Sequence, residues 1–258
     1  MATAKSKICL ELQCVGMELQ RQMILKDITL KIQEQEIVSI IGPNGAGKTS
    51  LFNIISGQLH PTRGSVRFCG RDITRWPPHR ICHAGIARTF QIARPFPGMT
   101  TLENVQIGLR FGKKVKGKKH WNGGEAFDLL ELVGLSHKAA SLARELTLSE
   151  QRRLEVARAL ATKPQLLLLD EIAAGLSPQA IKQAVALVKT LRNRGLTLLI
   201  VDHFLNLTAR VSDRLVALDQ GEKIMEGSPS EVLRSGEVIS AYLGERQSRI
   251  QDGSTDEV

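Results

Sequence analysis

The chain has no long apolar run. Its longest candidates are LLLL at 166–169 and LTLLIV at 196–201, far short of the roughly 20 residues that span a bilayer, so the sequence reads as a soluble chain. Cysteine is scarce: Cys9, Cys14, Cys69 and Cys82 are scattered, with no CxxC pair and no histidines at metal-ligand spacing. They read as ordinary buried or surface thiols under reducing conditions. Aromatic residues make up only 4%, which leaves little for base stacking, so nucleic acid is not expected as a partner despite a formal charge of +9. The five lysines of KKVKGKKH, 113–120, read as a solvated loop rather than an anion-binding stripe. The N-terminus, MATAKSKICLEL, has neither an apolar core nor a small-residue cleavage site, and a cytoplasmic location is expected. Repeats and low-complexity segments are absent. Only the polar end, QSRIQDGSTDEV at 247–258, resembles a disordered tail.

Against these absences, 42% apolar residues in a chain of 258 are enough for one large core. The N-terminal third reads as strands with turns, at 8–14, 28–33, 37–41 and 65–69, and alternation in ITLKIQ implies a sheet with one wet face. Further on, QLLLLD (165–170), TLLIVD (197–202) and RLVALD (214–219) are separated by helical patterns at 178–194 and 205–212. Continuous apolar strands between helices imply a parallel sheet covered on both faces. Residues 92 to about 160 contain helical patterns and no convincing strand, and read as a helical insertion entered through the loop RPFPGM.

The apolar strand IVSII runs into GPNGAGKTS, Gly42, Pro43, Asn44, Gly45, Ala46, Gly47, Lys48, Thr49 and Ser50, followed by the helical pattern LFNIIS. This matches G-x-x-x-x-G-K-[ST] in the strand-then-helix setting that a phosphate-binding loop requires. The glycines let backbone N–H groups curl around phosphate oxygens, Lys48 neutralises the β- and γ-phosphates, and the Thr49 hydroxyl is a ligand for Mg²⁺. A nucleotide with Mg²⁺ is therefore the expected cofactor pair. Asp170 and Glu171 end a buried strand at the edge where ligands of parallel sheets collect. There Asp170 is placed to hold the metal through a water and Glu171 to orient or deprotonate the attacking water. His203 lies just beyond the next strand, in reach of a γ-phosphate, and the amide of Gln91, after GIARTF, in reach of metal or water.

One further stretch, LTLSEQRRLEVARAL at 146–160, opens a helix. Thr147 with Glu150 three residues later is a capping box, which stabilises a helix start by about 1 kcal/mol. The alternative is a second anion site, formed with Ser149 and serving a nucleotide held by another subunit.

Together GPNGAGKTS, Gln91, LTLSEQRRLEVARAL, LLLLDE, AAGLSP and IVDH fall in the order and spacing of an ATP-binding subunit of an ABC transporter, and the chain resembles that family from about residue 8 to 244. RTFQIARPFPGMTTLENV, QRRLEVARAL, AAGLSP and SEVLRSGEVISAYLGE bring it nearest to the branched-chain amino-acid importer ATPases. The resemblance implies an α/β fold: a P-loop NTPase (RecA-like) core with a mostly parallel sheet, an N-terminal antiparallel β subdomain and a helical signature subdomain at about 92–160, one domain over 6–244 with a polar tail at 245–258. It also implies that the nucleotide is ATP, and an ATP hydrolase that works as a head-to-tail pair, with a second copy or a paralogous ATPase. Membrane permease subunits would hold the pair on the cytoplasmic face of the membrane and, through them, a substrate-binding protein outside. In that pair LTLSEQ caps the neighbour's γ-phosphate. An exporter ATPase for lipid or lipopolysaccharide is the main alternative; a soluble ABC ATPase acting on nucleic acid and an unrelated P-loop kinase are more remote.

Three departures from the family pattern stand out. Thr147 takes the place of the signature serine and Ser149 that of a glycine, which puts a Cβ where backbone approaches phosphate. Leu19 takes the place of the adenine-stacking aromatic. Ile172 follows Glu171 where proline is usual, and AAGLSP lacks the aspartate of many relatives. Weaker ATP-driven closure is expected from Ser149, adenine held by apolar contact only from Leu19, and slower hydrolysis from the last two changes. The ATPase is expected to stay active, because Glu171 and His203 are intact.

Overall fold

The structure, a computed structural model, describes residues 7–90, 94–112, 123–172, 177–202 and 204–251, with no side-chain description for 123, 178 and 244–251. Gln91, His203, most of AAGLSP and the lysine run at 113–120 lie outside the described residues.

The chain opens with a hairpin of β1 (Ile8–Leu19) and β2 (Gln22–Gln33). Its tip, Gln20–Arg21, has φ of +50° and +66°, the left-handed pair of a tight two-residue turn. The strands are longer than expected because bulges let the ladder continue past Leu12. β2 alternates as the sequence implies, with Ile28, Leu30 and Ile32 buried and their neighbours wet. β3 (Ile37–Ile41) leads through the glycine-rich loop to α1 (Lys48–Ile55), followed by β4 (Arg63–Phe68) and the short β5 (Arg71–Asp72). β2, β1, β4 and β5 form, in that order, a four-stranded antiparallel sheet.

α2 (Pro78–Ala84) precedes β6 (Ile86–Arg88), a strand too short for its alternation to register in the sequence. Between residues 94 and 161 the described regular elements are all helical: α3 (Thr101–Phe111), α4 (Gly123–Leu132), two short 3₁₀ turns and α5 (Leu148–Ala161), joined by loops and one isolated bridge between Thr100 and Leu142. Gly108 and Gly112 let α3 lie directly against α5, since a Cβ on Gly108 would meet the Arg158 carbonyl oxygen at 2.5 Å. The chain continues through β7 (Leu166–Asp170), α6 (Pro178–Asn193), β8 (Thr197–Val201), α7 (Leu205–Val211), β9 (Arg214–Asp219), β10 (Glu222–Gly227), α8 (Pro229–Val232) and α9 (Gly236–Gln251). α9 carries the backbone as helix through Gln251, so the polar end expected as a tail from 245 begins inside a helix. Its sequence has no apolar stripe to announce this; the helix is anchored upstream, where Val238 and Tyr242 pack against β9.

The second sheet has the order β10-β9-β3-β8-β7-β6, parallel except for β10. β3, β7 and β8 are buried along their whole length. Successive residues of these strands serve two cores: Val38, Ile40, Leu166, Leu168 and Leu199 pack with α1 and the antiparallel sheet, while Ile37, Leu167, Leu169, Leu198 and Ile200 pack with α5, α6 and α7. Both faces are needed, which is why these runs are continuously apolar. Each buried leucine or isoleucine is stabilised by about 1.5–3 kcal/mol relative to exposure.

Candidate functional site at the carboxyl edge of the parallel sheet

Because β3, β7 and β8 are parallel neighbours, their C-terminal ends share one edge of the sheet. The glycine-rich loop leaves β3 there, Asp170 ends β7, and Asp202 follows β8. This edge brings together the loop and the strand-end carboxylates named from the sequence.

Two glycines fix the loop. Gly42 has φ +149° and its missing Cβ makes room for the Leu218 carbonyl oxygen; Gly47 has φ +97° and a Cβ there would lie 2.6 Å from Leu25 Cδ2. No other residue type fits either position without shifting the backbone. Gly47 starts α1 without a side-chain cap, so the first N–H groups of the helix are offered to an anion. Asn44, Gly45 and Thr49 are exposed, Ser50 is half-buried, and Pro43 and Ala46 are buried supports. Lys48 is 6% exposed, and its Nζ donates to the carbonyl oxygens of Gly42 and Pro43, each at 2.7 Å. Its charge is thus folded over the loop, at the place where phosphate charge must be neutralised.

Asp170 is 5% exposed and accepts from Arg88 Nη2 at 2.8 Å, while its N–H donates to Thr89 Oγ1 at 3.1 Å. Removing one partner of such a buried pair costs about 3–5 kcal/mol. Glu171 comes next in the chain at φ +49°, a left-handed conformation unusual for glutamate, and its N–H donates to the Val201 carbonyl oxygen at 2.7 Å. Strain of this kind is concentrated at sites that must aim a side chain. Asp202, 1% exposed, accepts from the Phe204 N–H at 2.9 Å and so braces the chain on both sides of position 203.

The α5 helix start stands apart. Thr147 N–H donates to Glu150 Oε2 at 2.9 Å, and Glu150 N–H returns to Thr147 Oγ1 at 3.4 Å, so the capping box is realised. Burial pushes the Glu150 carboxyl up, but the Lys138 ammonium at 2.7 Å and the Thr147 donors outweigh it and hold it down at about 2. Ser149 is half-buried and lines a cavity of about 450 Å³ that also reaches Asp170 and Glu171; none of residues 42–50 lines it. The structure therefore does not bring Thr147, Ser149 and Glu150 onto the glycine-rich loop of the same chain. Leu19, beside the hairpin turn, is 54% exposed, and Ile172 is half-buried against the α5–α6 core.

Three residues not singled out from the sequence bear on this site. Arg88 reaches Asp170. Tyr242 of α9 accepts the Gly42 N–H through its hydroxyl at 2.8 Å. Glu155, 6% exposed on α5, accepts from the N–H groups of Phe90 and Arg94. Arg88 carried one signal, a charge inside the apolar patch GIARTF; Glu155, one of several charges along α5, and Tyr242, 200 residues from its partner, carried none.

Among the described residues no group of three or more His, Cys, Asp or Glu could hold a metal. A divalent ion at this edge would rest on Thr49 and Asp170 together with phosphate and water oxygens, the hard oxygen set that suits Mg²⁺.

Comparison with known proteins agrees with this geometry. The family model described as "ABC transporter" matches residues 25–174. The high-affinity branched-chain amino acid transport ATP-binding protein BraF of Pseudomonas aeruginosa is 36% identical over 253 residues, 93% of this chain and 99% of BraF. The lipopolysaccharide export system ATP-binding protein LptB of Haemophilus influenzae is 35% identical over 223 residues, 86% of this chain and 92% of LptB. Among solved structures, the ADP conformation of MJ1267, an ATP-binding cassette of an ABC transporter, superposes with TM-score 0.83 at 31% identity over 92% of this chain and 99% of that one. A dimeric post-hydrolysis state of the cassette MJ0796 bound to ADP and Pi superposes with TM-score 0.77 at 28% identity over 85% and 98%. Loop, strand-end carboxylates and likeness over nearly the whole length of these relatives converge: the chain belongs to the ABC transporter family and is one of its nucleotide-binding, ATP-hydrolysing subunits.

Proposed function

We propose that this chain drives an importer of branched-chain or related amino acids as one half of a head-to-tail ATPase pair. The observation that carries the pairing is the α5 start: capped, exposed at Thr147, and lining a cavity to which the glycine-rich loop of its own chain does not contribute. In this reading that helix N-terminus serves a phosphate held by another subunit. The amino-acid class rests on the likeness to BraF over almost the full length of both chains. The likeness to LptB, nearly as high, keeps a lipopolysaccharide exporter as the second reading.

In this reading Gly42 to Ser50 cradle the phosphates, Lys48 leaves the loop carbonyls for phosphate oxygens, and Leu19 gives adenine an apolar contact without stacking. Thr49 and Asp170, with Gln91, would hold Mg²⁺, which neutralises developing phosphate charge when bound. Glu171 orients or deprotonates the attacking water, and His203 contacts the γ-phosphate. Phosphoryl transfer asks mainly for positioning and charge neutralisation, and these residue types supply both. Thr147, Ser149 and Glu150 close the partner's site, so ATP binding shuts the pair and hydrolysis reopens it.

The permease would dock near the loop after position 93, where Phe96 and Pro97 are exposed and Met99 is half-buried. The loop is preset: buried Asn104 accepts the Phe96 N–H at 2.8 Å and donates to its carbonyl at 3.1 Å. No helix among the described residues is long and apolar enough to cross a membrane, so attachment to the cytoplasmic face would run through permease subunits, and contact with a substrate-binding protein would be indirect.

The test is a Glu171→Gln chain supplied with its ATPase partner and permease. In Mg-ATP it should form a stable closed ATPase pair by light scattering; persistence of single ATPase subunits sinks the mechanism. Uptake of labelled leucine by cells carrying or lacking the unaltered chain decides import, and lipopolysaccharide accumulation in its absence decides for export.

A further inference from the structure

The guanidinium of Arg88 joins two elements that contribute to the nucleotide site, and nothing in the sequence motifs requires it. On one side Nη2 donates to Asp170 Oδ2 at 2.8 Å; on the other Nη1 donates to Asn53 Oδ1 on α1 at 2.6 Å and to Oγ of Ser56, its C-cap, at 3.1 Å. Its Cζ lies 5.5 Å from the ring centre of Phe52 and 5.3 Å from that of Phe90. The arginine side chain is only 7% exposed. Such a group cannot follow a moving carboxylate.

Asn53 lies four residues after Thr49 in α1, one helical turn along the same face. The connection therefore runs from the Thr49 position through one rigid turn to Asn53, across the Arg88 fork, to Asp170. Both ends are proposed to hold Mg²⁺, Thr49 directly and Asp170 through a water. This ion demands near-ideal octahedral geometry and tolerates little error in donor spacing, whereas β7 and α1 are separate elements with no covalent reason to hold a fixed distance. A planar fork fits the task because it satisfies a carboxylate and an amide in fixed directions, which a lysine ammonium does not.

We propose that Arg88 is a positioning residue for the metal: it fixes the Asp170 carboxylate relative to Thr49, so that the two donors are preset for one divalent ion. Asn53 is the anchor of that fork on α1. The inference rests on the reading of Asp170 as a metal donor, and the experiment separates the two.

The full chain is loaded with ADP and titrated with Mn²⁺ as the spectroscopic stand-in for Mg²⁺, bound and free ion being counted by electron paramagnetic resonance. The affinity for ADP in excess EDTA is measured alongside. In Arg88→Lys the Kd for Mn²⁺ should rise about ten-fold to a hundred-fold, the range for loss of a group that orients a metal ligand. Metal-free ADP affinity should stay within about two-fold. Asn53→Ala, which leaves both Arg88 and Asp170 in place, should shift Mn²⁺ affinity in the same direction by less, and it alone decides the matter if Arg88→Lys does not fold. Unchanged Mn²⁺ affinity in the folded variants overturns the proposal, and so does a parallel loss of Mn²⁺ and metal-free ADP affinity, the mark of a purely structural role. If Asp170→Asn itself leaves Mn²⁺ affinity unchanged, the assignment of Asp170 as a donor is what fails.

Discussion

The N–H of Gly42, the first glycine of the phosphate loop, donates to the hydroxyl of Tyr242, 200 residues away, at 2.8 Å. Gly42 is buried, so this N–H depends on a protein acceptor. The last described helix thereby braces the turn that must hold its shape when a phosphate arrives. Tyr242→Phe keeps the ring in its place among Ile41, Val232 and Val238 and removes only the acceptor. The cost should be about 1–3 kcal/mol, that of a buried donor left unsatisfied, read from urea denaturation, with weaker ATP binding by calorimetry. Unchanged stability and affinity together would mean that the bond is incidental.

Glu155 offers a pH signature. Burial pushes its carboxyl up to about 7, against the N–H groups of Phe90 and Arg94 and the charges of Arg158 and Arg152. The folded value lies above the unfolded 4.5, so the stability this group contributes is complete below 4.5 and lost as pH rises to about 7. Relative to Glu155→Gln, the unaltered chain should therefore fall in melting temperature between those two values and run parallel above them. A difference between the two that is constant from about pH 3.5 to about pH 8, roughly one unit beyond each end of that window, contradicts the assignment.

Ser149 places a side chain where, by family resemblance, backbone meets phosphate. Ser149→Gly should strengthen ATP-driven closure of the pair and raise ATPase activity, because the helix end can then approach more closely. Thr147 and Glu150, which hold the cap, are untouched by this change. Steady-state hydrolysis no faster than in the unaltered protein counts against the steric argument.

Phe96 is 41% exposed and stacked by Arg158, whose Cζ lies 4.7 Å from the ring centre. Phe96→Glu should leave ATP binding intact, since the loop is held by Asn104 through backbone groups, and abolish transport by placing a charge in the permease contact. Normal uptake in that variant removes the loop from the docking surface.

The parallel half of the fold was legible because its strands are buried on both faces. LLLLD and TLLIV read as interior strands because helical patterns flank them, while IVSII, read among the N-terminal strands, joins the same parallel sheet. The short β6 and the hairpin over residues 15–25 were not legible. β6 has three residues, fewer than a period-two pattern needs, and the hairpin turn uses Gln20 and Arg21 instead of the glycine or asparagine that usually mark one. At the site, Lys48, Asp170 and Thr147 could be named because each has fixed local chemistry around it.

Sequence alone determined the phosphate loop, the buried carboxylate that ends β7 and the capped start of α5, since all three follow from backbone conformation and hydrogen bonding within a few residues. Tertiary structure decided which distant groups hold them in register. The Arg88 fork between Asp170 and Asn53, the clasp of Glu155 on Phe90 and Arg94, and the Tyr242 hydroxyl on Gly42 each join residues 35 to 200 positions apart. Local propensity carries no information about such meetings; only packing of sheet, helices and hairpin around shared cores brings them within hydrogen-bond distance.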